Sequence, residues 1–422
     1  MMVRRLSAVD AQTYWMSAKI PNDAFLLYAF AGEVPDLSRA LDVIRQRAWA
    51  CPEFRLRIED SNPLRYPAWV TGPVRAEQLV VHDLADNTWA GCLAAVAGLA
   101  EHQLDARETA WRLHVFTPVD GVPGAGVGTV AVLQAAHALG DGIRSSALAA
   151  WLFGRAERVV PVPAPPPFRG AALPWRSFRA ARAHQQLERD SAAGLIPPQA
   201  DSRPVLRSNT RPEGVRSIRT AVRNRAQLIG PTVTVAVLAA VSSALADHLC
   251  ELGDNPSTLG AEVPMAKTGV RTSNNHFGNV AIGLYPELDV DGRTARIVDD
   301  MADRRRRAAH PAMLAASRAS AAVPAPLLRS GVKQFDPTVR SPTVTGNTVV
   351  SSVNRGPADL QFGDLPVVLT AGYPGLSPMM GLTHGVHGIG DIIAISVHAA
   401  ASAVGDVDAY VERLEHALGP AQ

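Results

Sequence analysis

Cysteine is scarce: Cys51, Cys92 and Cys250 are the only three in 422 residues. Their odd number and the lack of CxxC spacing argue against a disulfide framework and a thiolate metal cluster. Lysine is equally rare, with Lys19, Lys267 and Lys333 alone among 41 basic residues, so arginine carries nearly all the positive charge. Neither sign dominates, since 41 basic against 39 acidic residues leave a net charge of +2. That balance speaks against nucleic acid as a partner, which calls for a strong single-sign field. No apolar run reaches the ~20 residues that a bilayer span needs. The longest, 231–246, is broken by Thr232, Thr234, Ser242 and Ser243 and reads as a buried helix. The opening MMVRRLSAVDAQTYW has no apolar stretch followed by a small-residue cleavage site, so it does not read as a signal peptide and a reducing, cytoplasmic setting is expected.

What the chain has is apolar material: 47% hydrophobic against 19% charged residues, enough for two cores at this length. The clearest break in composition is 159–204, where VVPVPAPPP gives way to an arginine-rich stretch and then to IPPQADSRP. Proline fixes φ and removes backbone donors, so this segment reads as a linker between domains at 1–158 and 205–422. In the first domain, 36–48 has helical periodicity with Asp36 or Ser38 as N-cap, and 111–117 and 128–134 alternate as strands. In the second, 233–252 reads as a long helix, 281–285, 348–353 and 392–398 as strands, and 407–418 as a closing amphipathic helix. Both halves are therefore mixed α/β.

The stretch that carries chemistry is 130–142, VAVLQAAHALGDG. An apolar strand runs into His137, then Asp141 and Gly142, and a helix is expected over 143–153. A neutral imidazole at the end of a buried strand is suited to accept a proton as a general base. Asp141, four residues on, would fix the turn or pair with an arginine. An isolated HxxxD fits an ordinary structural turn as well, so the rest of the chain decides its meaning.

That context resembles the HHxxxDG motif of the chloramphenicol-acetyltransferase-like superfamily and, more narrowly, the bacterial wax ester synthase/diacylglycerol acyltransferase family. RRLSAVDAQTYW is similar to the family's opening, in which Leu-Ser-x-x-Asp precedes an aromatic residue. PEFRLRI (Pro52 to Ile58), PAWV (Pro67 to Val70), QLDARETAWRLHVF (Gln103 to Phe116), FGNVAIGLYP (Phe277 to Pro286) and VVSSVNRGP (Val349 to Pro357) resemble later blocks in the family's order. This chain departs from the pattern in three places. Ala136 stands where the family has its first motif histidine, Thr109-Ala110-Trp111 stands where it has Pro-Leu-Trp, and Thr234-Val235 stands where it has Asn-Asp near the start of the long helix.

The resemblance implies two chloramphenicol-acetyltransferase-like domains, each a mixed sheet flanked by helices, with a substrate tunnel at their interface and His137 near its middle. It implies acyl-CoA as co-substrate, no bound cofactor, and an alcohol or diacylglycerol as acceptor, giving a wax ester or triacylglycerol. His137 would be the general base and Asp141 a brace paired with Arg271, Arg340 or Arg355. Backbone N–H groups at Gly140 to Gly142 and the Asn279 side chain are candidates for the oxyanion, and Trp111, Ser352 and Asn354 for the tunnel wall. The same histidine also suits a condensation-type ester or amide synthase fed by a carrier-protein thioester, and a third reading is a non-catalytic lipid-binding homologue.

Two other clusters are weaker. His384 and His387 lie three apart in a glycine-rich stretch that reads as a loop, with no Cys or Glu beside them, so no metal is expected. Asn274-Asn275-His276 reads as a turn. Residues 168–182 place Trp175 and Phe178 beside Arg176, Arg179 and Arg182, a short basic amphipathic helix of the kind able to lie on a membrane or lipid droplet.

Overall fold

The computed structural model describes residues 4–164 and 172–420. Two six-stranded mixed sheets organise the chain. The first has the order Gln361–Phe362, Leu365–Gly372, Ala24–Ala31, Gly126–Ala135, Trp111–Val122, Leu79–His82. The second has the order Phe277–Gly283, Gly260–Ala266, Thr348–Asn354, Leu382–Ile389, Ile392–Ala400, Arg216–Asn224.

Strand alternation explains how the first sheet is covered. Leu26, Tyr28 and Phe30 enter one apolar cluster with Ile44, Leu148 and Phe153 from the helices Leu37–Ala50 and Gly142–Leu152. Phe25, Leu27 and Ala29 point the other way, into a cluster with Cys92, Leu93 and Val96 that also takes in Ile218 and Ala394 of the second sheet. The halves thus share a core, and each fully buried Leu, Ile, Val or Phe in it contributes about 1.5–3 kcal/mol. The second sheet has its own cluster around the helix Val233–Glu251, closed by Tyr410 and Leu414 of the helix Val407–Ala417. Helix ends follow the sequence signals: Asp36 accepts from the Arg39 N–H at 2.9 Å, and Thr232 from the Val235 N–H at 3.2 Å.

Three expectations are corrected. The range 205–422 is not one self-contained unit, because Leu365–Gly372 pairs antiparallel with Ala24–Ala31 in the first sheet. The short helix expected at 168–182 within the linker runs further along the chain. Past Pro174 its sequence lacks glycine and proline until Gly194, and Leu173–Ala192 forms a helix that packs on Pro311–Ser320. The glycine-rich stretch around His384 and His387 is not a loop: it is the strand Leu382–Ile389, with every residue buried. Its glycines serve close packing, since a Cβ on Gly385 would overlap the Gly372 carbonyl oxygen of the crossing strand. His384 bonds Thr348 Oγ1 (2.9 Å) and the Tyr410 hydroxyl (2.6 Å), and burial pushes its pKa down to about 4. Among the described residues no group of three His, Cys, Asp or Glu is placed to hold a metal.

The crossing at Gly385 leaves no room for a methyl group. Gly385→Ala is therefore expected to lower stability by about 1–3 kcal/mol, read as a lowered Tm, whereas Gly98→Ala, in the helix Trp89–Leu99 with nothing near its Cβ, should not.

Candidate active site

The strand Gly126–Ala135 delivers the chain to Ala136, and a tight turn follows over His137–Leu139. Gly140 is extended, at φ 175°, so its need for glycine comes from crowding: a Cβ there would meet the Arg144 side chain at 2.9 Å. Asp141 caps the helix Gly142–Leu152 by accepting from the Arg144 N–H at 3.0 Å. A Cβ on Gly142 would lie 3.0 Å from Val353 Cγ2, so this helix starts hard against the strand Thr348–Asn354 of the second sheet.

The His137 ring stacks on Phe277, with centroids 5.9 Å apart and planes 20° from parallel. Its Nδ1 is buried and has no hydrogen-bond partner among the described residues. Buried polar atoms are normally paired, so this nitrogen has hydrogen-bonding capacity that the described residues leave unused. The main chain around it is fixed from the second half. Asn275 Nδ2 donates to the His137 carbonyl and Asn274 Nδ2 to the Ala138 carbonyl, both at 2.9 Å.

Those two asparagines are held in turn by Asp10, from the start of the chain. Its carboxylate accepts from the Asn274 N–H (2.9 Å), the Asn275 N–H (2.9 Å), Asn275 Nδ2 (3.1 Å) and the Ser7 hydroxyl (2.8 Å). Burial raises the Asp10 pKa above the ordinary carboxylate value, and these donors offset only part of that rise. Sequence reasoning missed Asp10, Asn274, Asn275 and Phe277. Ser7 and Asp10 carried a visible signal as a helix start, and Ser7 does cap the helix Ala8–Ser17. Nothing local shows that the Asp10 carboxylate reaches residues 264 and 265 positions away.

Asp141 is a brace between the halves. It accepts from both ends of the Arg271 guanidinium, at 2.8 and 3.2 Å, and from the His276 N–H at 2.8 Å. Burial alone would raise its pKa, but Arg271 and the Arg144 and His276 N–H groups outweigh burial and hold it below the ordinary value. Of the three arginines considered as partners, Arg271 is the one used. Arg340 bonds the Asn209 carbonyl, and Arg355 is buried against Thr370 and the Leu27 carbonyl.

The other predicted residues are dispersed. Trp111, expected on a tunnel wall, is fully buried in the first core, with its Nε1 donating to the Phe54 carbonyl at 2.7 Å and its ring edge-on to Phe54. Asn279, an oxyanion candidate, is exposed and donates to Glu262 at 3.3 Å. Ser352 is half-buried and accepts from the Thr234 hydroxyl at 2.9 Å, while exposed Asn354 accepts from the Gly356 N–H at 2.9 Å. Where Thr234-Val235 replaces the family's Asn-Asp, Thr232 caps the helix and Thr234 ties it to the sheet.

No family profile and no curated protein sequence matches the chain. Solved structures do. The chain is similar to a wax ester synthase/diacylglycerol acyltransferase from Marinobacter aquaeolei VT8, with a TM-score of 0.66, 17% identity and 98% of each chain covered. It is also similar to the starter condensation domain of the rhizomide synthetase RzmA. For a variant in complex with C8-CoA the TM-score is 0.59, at 14% identity over 100% of this chain and 96% of that one. For a second variant, with C8-CoA and Leu-SNAC, the TM-score is 0.59, at 13% identity over 99% and 93%. The chain shares their fold. At these identities the likeness establishes architecture, and the residues must carry the chemistry.

The Asp141–Arg271 pair predicts a pH effect. A carboxylate whose pKa is depressed by folding adds stability above its unfolded value, near 3.8, and loses it as pH falls through the folded value. Arg271→Ala is expected to cost about 2 kcal/mol at pH 7, and the cost should shrink below about pH 4, measured by urea denaturation across pH. A cost that does not change with pH would contradict the pairing.

Proposed function

We propose that the chain is a CoA-dependent O-acyltransferase that forms a neutral ester by direct transfer from acyl-CoA to an alcohol or diacylglycerol. The observation that carries this reading is His137: a half-buried ring whose buried Nδ1 is unpartnered among the described residues, on a turn gripped by both halves, in a fold shared with a wax ester synthase/diacylglycerol acyltransferase. The neutral imidazole takes the acceptor hydroxyl proton as the oxygen attacks the thioester carbonyl carbon. The carbon–sulfur bond then breaks, and the proton returns to the departing thiolate. The first N–H groups of a helix have no partner within it, so the Gly142 N–H is the donor best supported for the oxyanion of the tetrahedral intermediate. Asp141 and Asp10 take no part in the proton transfer and hold the turn.

A condensation-type synthase taking a carrier-bound thioester is the second reading, favoured by the likeness to a starter condensation domain. Thiol release from acyl-CoAs of graded length, with fatty alcohols, diacylglycerol and amines as acceptors, separates the two. Acceptor-dependent release is expected to fall about 10²–10⁴-fold in His137→Ala. Release only from a carrier-bound thioester would favour the second reading, and release that survives in the variant would exclude His137 as base.

The helix Leu173–Ala192 supports peripheral contact with the cytoplasmic face of an anionic membrane or with a lipid droplet. Only Leu187 on it is buried, while Trp175 and Phe178 are 59% and 53% exposed and stack on each other at 6.0 Å. Arg179 and Arg182 lie over these two rings, so apolar and basic groups share one patch. Residues 168–171 of the expected segment lie outside the described residues. The full protein should sediment with phosphatidylglycerol-containing vesicles more than with pure phosphatidylcholine, and Trp175→Ala/Phe178→Ala should weaken that binding several-fold. Equal sedimentation with both lipids would contradict the contact.

A further inference from the structure

One carboxylate beside the catalytic turn has no role in the chemistry above. In the antiparallel pair Gly260–Ala266 and Phe277–Gly283, Ala261, Val263, Val280 and Ile282 pack into the helical core of the second half. Side chains alternate along strands, so Glu262, Phe277, Asn279 and Ala281 share the opposite face. Two contacts fix what that face looks onto. Phe277 stacks on the His137 ring. On the neighbouring strand, Val349 is the register partner of Glu262, and Val353, four residues further on the same face, packs against Gly142.

Glu262 therefore stands on the sheet face that looks onto the catalytic turn. Its register partner Ala281 is four residues from Phe277, about 13 Å along the strand, and its carboxylate is tied to Asn279, two residues from Phe277, at 3.3 Å. Glu262 is half-buried, and among the described residues Asn279 is its one side-chain partner, with no arginine or lysine paired to it. An ionised carboxylate accepts about four hydrogen bonds, and one that is partly buried with a single amide donor is costly to keep without a further partner. Burial raises its pKa, and the Asn279 amide lowers it only in part.

We propose that Glu262 is a specificity residue: it accepts a hydrogen bond from a second donor group on the acceptor, a hydroxyl or an ammonium, while the nucleophilic group of that acceptor meets His137. This rests on the acyltransferase reading. The acceptor is the fitting partner because acyl-CoA is a polyanion, which an unneutralised carboxylate repels. The inference narrows the acceptor from any alcohol to a bifunctional one, an amino alcohol, a diol or a partial glyceride with a spare hydroxyl.

The test compares hexanol, hexanediol and aminohexanol as acceptors, in wild type, Glu262→Gln and Glu262→Ala, with circular dichroism to check folding. Wild type is expected to prefer a bifunctional acceptor over hexanol in kcat/KM, and Glu262→Gln to reduce that preference at least tenfold. A larger loss with aminohexanol than with hexanediol identifies an ammonium as the partner, and equal losses identify a hydroxyl. The same loss with all three acceptors, or a change confined to the KM for acyl-CoA, would overturn the proposal. Should wild type transfer to none of them, the acyltransferase reading fails separately. Saturation-transfer NMR binding of aminohexanol and hexanediol then decides the Glu262 question: binding weakened by Glu262→Gln keeps the contact, and binding unaltered by it, or no binding, removes it.

Discussion

The turn that carries His137 depends on one buried carboxylate. Asp10 gathers two backbone N–H groups and a side-chain amide from Asn274 and Asn275, and those asparagines hold the His137 and Ala138 carbonyls. Hydrogen bonds to a charged group contribute about 1.5–3 kcal/mol each, so the cluster outweighs the thermal freedom of a short turn. These donors offset part of the cost of burying Asp10, and three of the four come from Asn274 and Asn275. The halves are not simply docked, because the first helix of the chain and a loop of the second half jointly fix the main chain that carries His137.

A second tie works at a distance from the turn. Leu365–Gly372 leaves the second half to join the first sheet, and it crosses Leu382–Ile389 where glycines allow contact. Arg355 is buried at this junction without a carboxylate. It bonds Thr370 and the Leu27 carbonyl, and its guanidinium lies 5.0 Å from the Tyr28 ring centroid. A buried cation held by neutral groups and an aromatic face leaves little tolerance for sliding between the strands it joins. With Asp141–Arg271, the halves are pinned at two places, and the face bearing Phe277 and Val353 is set against the turn.

Local chemistry was legible in the sequence, and long-range chemistry was not. His137, Asp141 and Gly142 lie within six residues, where the switch from an apolar strand to a capped helix announces itself. The alternation Trp111, Leu113, Val115 was also visible, and it places Trp111 in the core; the tunnel-wall assignment came from block order alone. His384 and His387 were misread because glycine usually marks a turn, whereas here it permits two strands to touch. The helix Leu173–Ala192 was legible in part, as a short basic amphipathic stretch led by Pro174, but its run to Ala192 was not. Asp10 and Glu262 were invisible as site residues, since their partners are fixed by sheet pairing and by the meeting of the two halves.

The central claim is that Asp10 and Asn275 act as one unit on the His137 main chain. A double-mutant cycle of Asp10→Ala and Asn275→Ala, read as kcat for acceptor-dependent thiol release in folded protein, tests it directly. If they form one unit, the double variant loses little more than the worse single variant, and the KM for acyl-CoA changes little. Losses that multiply, or single variants with wild-type kcat, would contradict the account.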